Sequence, residues 1–338
     1  MAVTIKDIAK IAGISYATVS RAINNHPEVS SKTREKVLKI VQENGYYPNA
    51  VARGLVNKRT KTVGVIIPDI SNPHYPVIVK GVEDRAAREG YHIFLCNTDW
   101  NYQKENEYIG ALIEKQVAGL VISPVSIESH KRIKNLKLNM PVVYLGSREK
   151  NEKLSFVTVD NVKAADIAAK FLIDLGHTNI AYVGGKKDSV SDMERLKGYK
   201  ASMQKSGFEK NIKIIKGSGY TRESGYNSVN SIFKNNDIPT AIIAANDIIA
   251  LGVIQAIRER ELLVPDDISV IGFDDIDYAS LPGINLTTIS QPKYDMGTIA
   301  MDIILRKTTL KNNVSEKNTQ IIFEPSLIKR GTCQRINK

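Results

Sequence analysis

Polar side chains recur where the apolar runs of this chain stop. Asp69 follows Val63–Ile67, Asn97 and Asp99 follow His92–Leu95, and Ser123 follows Gly119–Ile122. Further on, Asn246 and Asp247 come after Ala241–Ala245, and Asp274 and Asp275 come after Ile268–Phe273. Carboxylates, amides and hydroxyls together offer the donors and acceptors that hold a small polar molecule. Any one of them could equally cap a helix, but their recurrence behind several strands favours a site, because open α/β sheets bind ligands at strand carboxyl ends. Asp274-Asp275 has the composition of a catalytic acid pair, yet adjacent residues at a strand end point in different directions. The chain has no GxxxxGK(S/T), HExxH or GxSxG, no strand–GxGxxG–helix unit and no histidines paired at i,i+4. An enzyme is therefore not expected.

These residues need a framework, and the pattern of apolar runs supplies one. From Thr62 the runs alternate with amphipathic helices, and the alternation resumes after about residue 160 with Ile180–Val183, Ala241–Ile243 and Ser269–Ile271. Alternation of this kind predicts parallel sheets with helices on both faces. Two such blocks predict two similar lobes with their polar strand ends facing each other, which is a clamp for a small molecule.

The first 61 residues have a different texture. They hold eleven Lys and Arg against four Asp and Glu, a net of +7, while the remaining 277 carry 36 against 32. A basic head on a nearly balanced body suggests a polyanion-binding module. Thr4-Ile5-Lys6-Asp7 matches a capping pattern, and Ile5, Ile8, Ala9 and Ala12 follow at helical spacing. Gly13 ends that helix, and Ser15 caps a second with Val19, Ala22 and Ile23 on one face. After Ser30 and Ser31 a third helix turns Val37, Ile40 and Val41 inward, and Gly45 ends it. Three short helices, the first two joined by a tight glycine turn, predict a helix-turn-helix unit. The second helix, within SYATVSRAIN, has one charge and little bulk. That is poor for a solvated face and suitable for seating in a DNA groove.

The whole chain of 338 residues is 42% hydrophobic and 25% charged, as in globular proteins. No apolar run approaches the ~20 residues that span a bilayer, so no membrane association is expected and the cytoplasm is the expected compartment. Cys96 and Cys333 have neither CxxC nor zinc-like spacing. No metal or cofactor is expected.

Taken in order, three stretches are similar to the lactose/galactose repressor (LacI/GalR) family over essentially the full length. The head has T-I-K-D-I-A-K-I-A-G-I-S-Y-A-T-V-S-R-A-I-N followed by V-S-S-K-T-R-E-K-V, the linker has Y-Y-P-N-A-V-A-R-G-L, and the body has A-N-D-I-I-A-L-G and V-I-G-F-D-D. The resemblance implies a DNA-binding domain over 1–48, a hinge helix and linker over 49–61, and an effector-binding and dimerisation body over 62–338. That body has a periplasmic-binding-protein-like, two-lobed α/β fold with two doubly wound parallel sheets. Its first lobe is expected at about 62–160 and 291–320, the second at about 161–290 and 321–338. The implied function is a sequence-specific transcription regulator, a repressor, that binds a pseudopalindromic double-stranded operator as a homodimer. The tail after Phe323 has no heptads with which to form a tetramer.

By the same resemblance, Ser15, Tyr16, Ala17, Thr18, Ser20 and Arg21 face the major groove, where Arg21 can bond guanine O6 and N7. Asn24, His26, Ser30 and Thr33 are candidate phosphate contacts, and Thr4, mainly a helix cap, is counted with the DNA-binding residues. Asn49 and Ala52 belong to the hinge, and Leu55 matches the wedge that the family inserts in the minor groove. In the body, Arg195, Tyr220, Asn246 and Asp274 match the family's effector contacts, and Asp69, Tyr75 and Ser123 are further candidates. Arginine, carboxylate, amide and aromatic ring together suit a sugar. Ser147 stands where many sugar-responsive relatives have Asp before Arg, which leaves a purine, a modified sugar or a protein co-repressor open. I-I-P-D-I-S-N and Q-P-K-Y-D-M-G resemble the catabolite-control branch, but A-M-D-I-I-L at 300–305 lacks the paired basic residues for docking a carrier protein. A solute-binding protein of the same two-lobed fold is the alternative from another class; the basic head argues against it.

Overall fold

Local hydrogen bonds shape the N-terminal helices α1 (Ile5–Ala12), α2 (Tyr16–Ile23) and α3 (Ser31–Glu43). The computed structural model describes residues 3–46, 60–136, 138–146, 154–234, 238–309 and 318–336. Thr4 and Asp7 form a reciprocal capping box, and Ser15 and Ser30 cap α2 and α3 by accepting from the Thr18 and Thr33 amides. Gly13 takes φ +68°, the left-handed conformation that lets α1 end and the chain turn into α2. Ile8, Val19 and Val37, one from each helix, are fully buried together. Each such side chain contributes about 1.5–3 kcal/mol by leaving water. This head lies within the unit Met1–Thr60, and the body is a second unit, Lys61–Lys338.

Among the described residues the body holds two six-stranded sheets built to one plan. In the first, strands run β11-β5-β4-β3-β1-β2, with β1 Thr62–Ile67, β2 His92–Asn97, β3 Gly119–Ile122, β4 Val142–Leu145, β5 Ser155–Val159 and β11 Gln320–Phe323. In the second they run β12-β10-β9-β8-β6-β7, with β6 Ile180–Val183, β7 Lys213–Ile215, β8 Ala241–Ala244, β9 Ser269–Asp274, β10 Thr287–Ser290 and β12 Ser326–Ile328. The first sheet pairs in parallel throughout, and in the second β12 alone is antiparallel, against β10. Strand order reverses beside β1 and again beside β6, and these switch points open crevices at strand carboxyl ends. Wholly buried strands such as Gly119–Ile122 and Ile180–Val183 explain the unbroken apolar runs.

The chain crosses between lobes three times, at 159–161, 290–293 and 323–326. Because Gln320–Phe323 pairs with β5, the last crossing falls a few residues later than the expected 320/321 boundary. In the second lobe, helices Arg222–Lys234 and Asp247–Arg258 touch backbone to backbone. A Cβ on Gly252 would lie 1.9 Å from the Arg222 carbonyl oxygen, and one on Gly225 would lie 2.1 Å from that of Ile249. The glycine that closes A-N-D-I-I-A-L-G is thus a packing requirement. Among the described residues no helix is long and apolar enough to cross a membrane.

Candidate functional site

On the head, Tyr16, Ala17, Ser20 and Arg21 share the face of α2 opposite buried Val19 and Ala22, and all but half-buried Ser20 are exposed. Arg21 approaches Glu28 at 3.8 Å with both side chains over half exposed, a screened pair that leaves the guanidinium usable. Several candidate contacts already have local bonds. The Ser15 and Thr18 hydroxyls pair at 2.9 Å, as do those of Ser30 and Thr33. Asn24 Nδ2 donates to the Ser20 carbonyl, and His26 Nδ1 accepts from the Glu28 amide. These residues order the helix ends, and exposed Ser15, Asn24 and Ser30 keep polar edges at the surface. Asn49, Ala52 and Leu55, with the expected hinge, lie outside the described residues, as does Ser147.

In the body, a cleft between the strand ends of the two lobes gathers Arg195, Tyr220, Asn246, Asp274, Tyr75 and Ser123 on one wall system. Its cavity volume is about 60 Å³, against the ~10–15 Å³ that one water needs. Asp69 is not part of it. Its carboxylate accepts from the Ser71 amide and hydroxyl, at 2.9 and 2.6 Å, and so holds the turn after β1. Asn97 accepts from the Ile70 amide of that same turn and donates to Asp99, and Asp275 turns away to pair with Arg330 at 2.7 Å. Asp247, fully buried, accepts from the Thr288 hydroxyl and the Ile276 amide, and burial pushes its pKa well up. It pins the loop behind the cleft. Asn246 does two things: its Oδ1 caps the following helix by accepting from the Ile249 amide, and the residue lines the cleft.

Arg195 is the centre of the floor. It sits on helix Val190–Lys205, which Ser189 caps. Its Nε donates to Asn161 Oδ1 at 2.9 Å, its Nη1 to the Ala245 carbonyl, and its Nη2 lies 3.5 Å from Asp274 Oδ1. The guanidinium also lies 4.7 Å from the Phe273 ring centroid. Burial works most strongly against its charge, but Asp274, Tyr220, Tyr182 and Asp192 together more than offset that, so its pKa rises. Asp274 in turn accepts from Gln291 Nε2 at 2.6 Å. Its backbone φ is +107° and that of Asp275 +50°, conformations costly for residues with a Cβ. Lys293 holds them by donating to both carbonyls.

His74, Trp100, Asn161 and Gln291 also line the cleft, and the sequence reading did not single them out. Two of them had a signal: Gln291 opens Q-P-K-Y-D-M-G, and Trp100 is the chain's one tryptophan. His74 Nδ1 is buried 3.7 Å from Asp274 Oδ1 and has no hydrogen-bond partner among the described residues. Burial pushes its pKa down from 6.5 to about 4, against the pull of Asp274 and with Lys293 and Arg195 adding to the fall. Between those values the unfolded chain takes up a proton that the folded protein refuses. The contribution is therefore full above pH 6.5 and fades, by about 3 kcal/mol, as pH falls towards 4. His74→Phe, which keeps a ring but cannot titrate, should lose less stability than wild type between pH 7 and pH 5. Parallel pH profiles from chemical denaturation of the two proteins would refute this assignment.

Known proteins combine the same two parts. Residues 4–49 match the family described as bacterial regulatory proteins, lacI family, and residues 169–333 match the periplasmic binding protein-like domain. Catabolite control protein A of Priestia megaterium is 39% identical, over 96% of this chain and 99% of its own. The transcriptional repressor PurR of Vibrio campbellii is 34% identical, over 99% of both chains. Among solved structures, the Lac repressor dimer bound to operator and the anti-inducer ONPF superposes with a TM-score of 0.86 at 29% identity, covering 99% of this chain and 100% of that one. A helix-turn-helix head on a two-sheet clamp, with full-length relatives of this identity, settles the class: the chain belongs to the LacI family of bacterial DNA-binding transcriptional regulators.

Proposed function

We propose that the chain is a dimeric repressor whose hold on a pseudopalindromic operator is set by a neutral polyhydroxylated ligand, a sugar or sugar derivative, bound in the cleft. The Arg195–Asp274 pair carries this reading. One buried cation and one buried anion make the floor neutral overall, with His74 uncharged at neutral pH. An anionic ligand would meet Asp274 and a cationic one Arg195, whereas hydroxyls can bond to both. Asn246, Tyr75 and Ser123 extend the polar walls. On the head, Tyr16, Ala17, Ser20 and Arg21 are the candidates for reading bases, and Ser15, Thr18, Asn24, His26, Ser30, Thr33 and Thr4 for order and phosphate contact. Leu55, with Asn49 and Ala52, is the candidate hinge wedge.

The test is fluorescence anisotropy on the DNA upstream of the protein's own gene, with D-ribose, D-glucose, cellobiose or adenine added. A sugar should change operator affinity at least tenfold; a shift with adenine alone would replace the sugar reading. Without ligand, affinity should fall with salt on a log–log slope steeper than about −4. Each neutralised phosphate adds ~0.9, and two heads of net +7 bring enough charge for many contacts. A slope near zero would exclude the basic head as the contact.

A further inference from the structure

We propose that Trp100 is a specificity-determining wall of the cleft, carried by the first lobe onto Tyr220 of the second, and that it limits the site to ligands of a single ring. The proposal rests on the effector reading above.

The indole is placed by the protein alone. Asp99 and Trp100 both adopt left-handed backbone, φ +52° and +57°, which non-glycine residues adopt only when their surroundings hold them. Those surroundings are specific. The Trp100 amide donates to the Pro68 carbonyl at 3.1 Å. Asp99 accepts from Asn97 and from Lys104. The Lys186 ammonium, from the other lobe, donates to the Trp100 carbonyl at 2.7 Å and lies 5.4 Å from its ring.

Tyr220 cannot move aside to make room. Its hydroxyl donates to Ser189 Oγ at 2.7 Å, and a Cβ on Gly185 would come within 2.4 Å of its ring. The Trp100 ring stacks on it with centroids 5.0 Å apart and planes 27° apart. Tyr220 matches an effector contact of the family, but it is 8% exposed and already covered by this indole. The aromatic surface at this end of the cleft is therefore shared by two residues, one from each lobe. The cavity of about 60 Å³ holds roughly four to six waters at ~10–15 Å³ each. That leaves space for the polar edge of one ring over Arg195 and Asp274, with Trp100 closing the end where a second ring would extend.

D-glucose and cellobiose, titrated by calorimetry into wild type, Trp100→Ala and Trp100→Tyr, test this. The cellobiose-to-glucose affinity ratio should rise at least tenfold in Trp100→Ala and stay within threefold of wild type in Trp100→Tyr. In wild type, D-glucose should shift the emission of this single tryptophan. An unchanged ratio in Trp100→Ala would overturn the proposal and leave the sugar reading standing. So would wild type that binds both sugars alike, or emission that stays fixed while heat of binding is measured. Silence of both sugars with every variant would overturn this proposal, and the sugar reading falls with it if D-ribose also leaves operator affinity unchanged.

Discussion

Arg195→Ala is expected to weaken binding of the cleft ligand at least a hundredfold while ligand-free operator affinity stays within a few-fold of wild type. The guanidinium is 6% exposed and holds Asn161, Ala245 and Asp274 together beneath the cavity. A charge-assisted hydrogen bond contributes about 1.5–3 kcal/mol, so losing two ligand bonds exceeds the ~2.7 kcal/mol of a hundredfold change. Truncation also leaves Asp274, 5% exposed, with Gln291 as its remaining side-chain donor and without its cation. Breaking a buried pair in this way costs about 3–5 kcal/mol of stability. Circular dichroism and operator binding separate that loss from loss of the site. Calorimetry showing unaltered affinity for the responsive sugar would remove Arg195 from ligand binding.

Gly252→Ala is expected to destabilise the protein by about 3 kcal/mol, a large fraction of a typical domain's stability. Two effects compete at this position. Alanine is the better helix former by about 1 kcal/mol, which at an exposed site would raise stability. Here the added methyl would lie 1.9 Å from the Arg222 carbonyl oxygen and 2.8 Å from the Tyr226 amide nitrogen. Both neighbours are backbone, so helix Arg222–Lys234 must shift as a unit to relieve the clash. Packing should therefore win over propensity. The same helix Asp247–Arg258 starts from Asn246, so ligand affinity should fall along with the thermal midpoint. A variant melting at or above the wild-type temperature would show that the helix pair relaxes freely.

Much of this molecule could be read without coordinates because the forces involved are short-ranged. The capping box of Thr4 and Asp7, the Ser15 and Ser30 caps and the Gly13 turn join residues within one helical turn of each other. The helix-turn-helix head is therefore written in consecutive residues. The two sheets were visible as apolar runs, since a strand buried on both faces has no alternation to hide. Arg195, Asn246 and Asp274 were named from motif resemblance, and the fold brings them to one cavity.

What failed or was missed depended on contacts between distant segments. Asp69 was expected in the cleft with its neighbours, but a carboxylate two residues before Ser71 finds a local partner first. Trp100 sits in a loop and His74 at the first position of helix His74–Arg88, and no periodicity marks either as a site residue. Their roles come from Tyr220 and Asp274 in the opposite lobe. Asn161 and Gln291 lie on two of the three crossings, and although Gln291 opens Q-P-K-Y-D-M-G, neither gains a role in the cleft until Arg195 and Asp274 arrive from elsewhere in the chain. Local propensity and periodicity thus determined the head and the strands, and the resemblance of the quoted motifs determined the class of the protein. The shape and selectivity of the cleft were decided by tertiary structure, because a cavity is made of side chains that meet only after two lobes, each folded on its own sheet, are brought face to face.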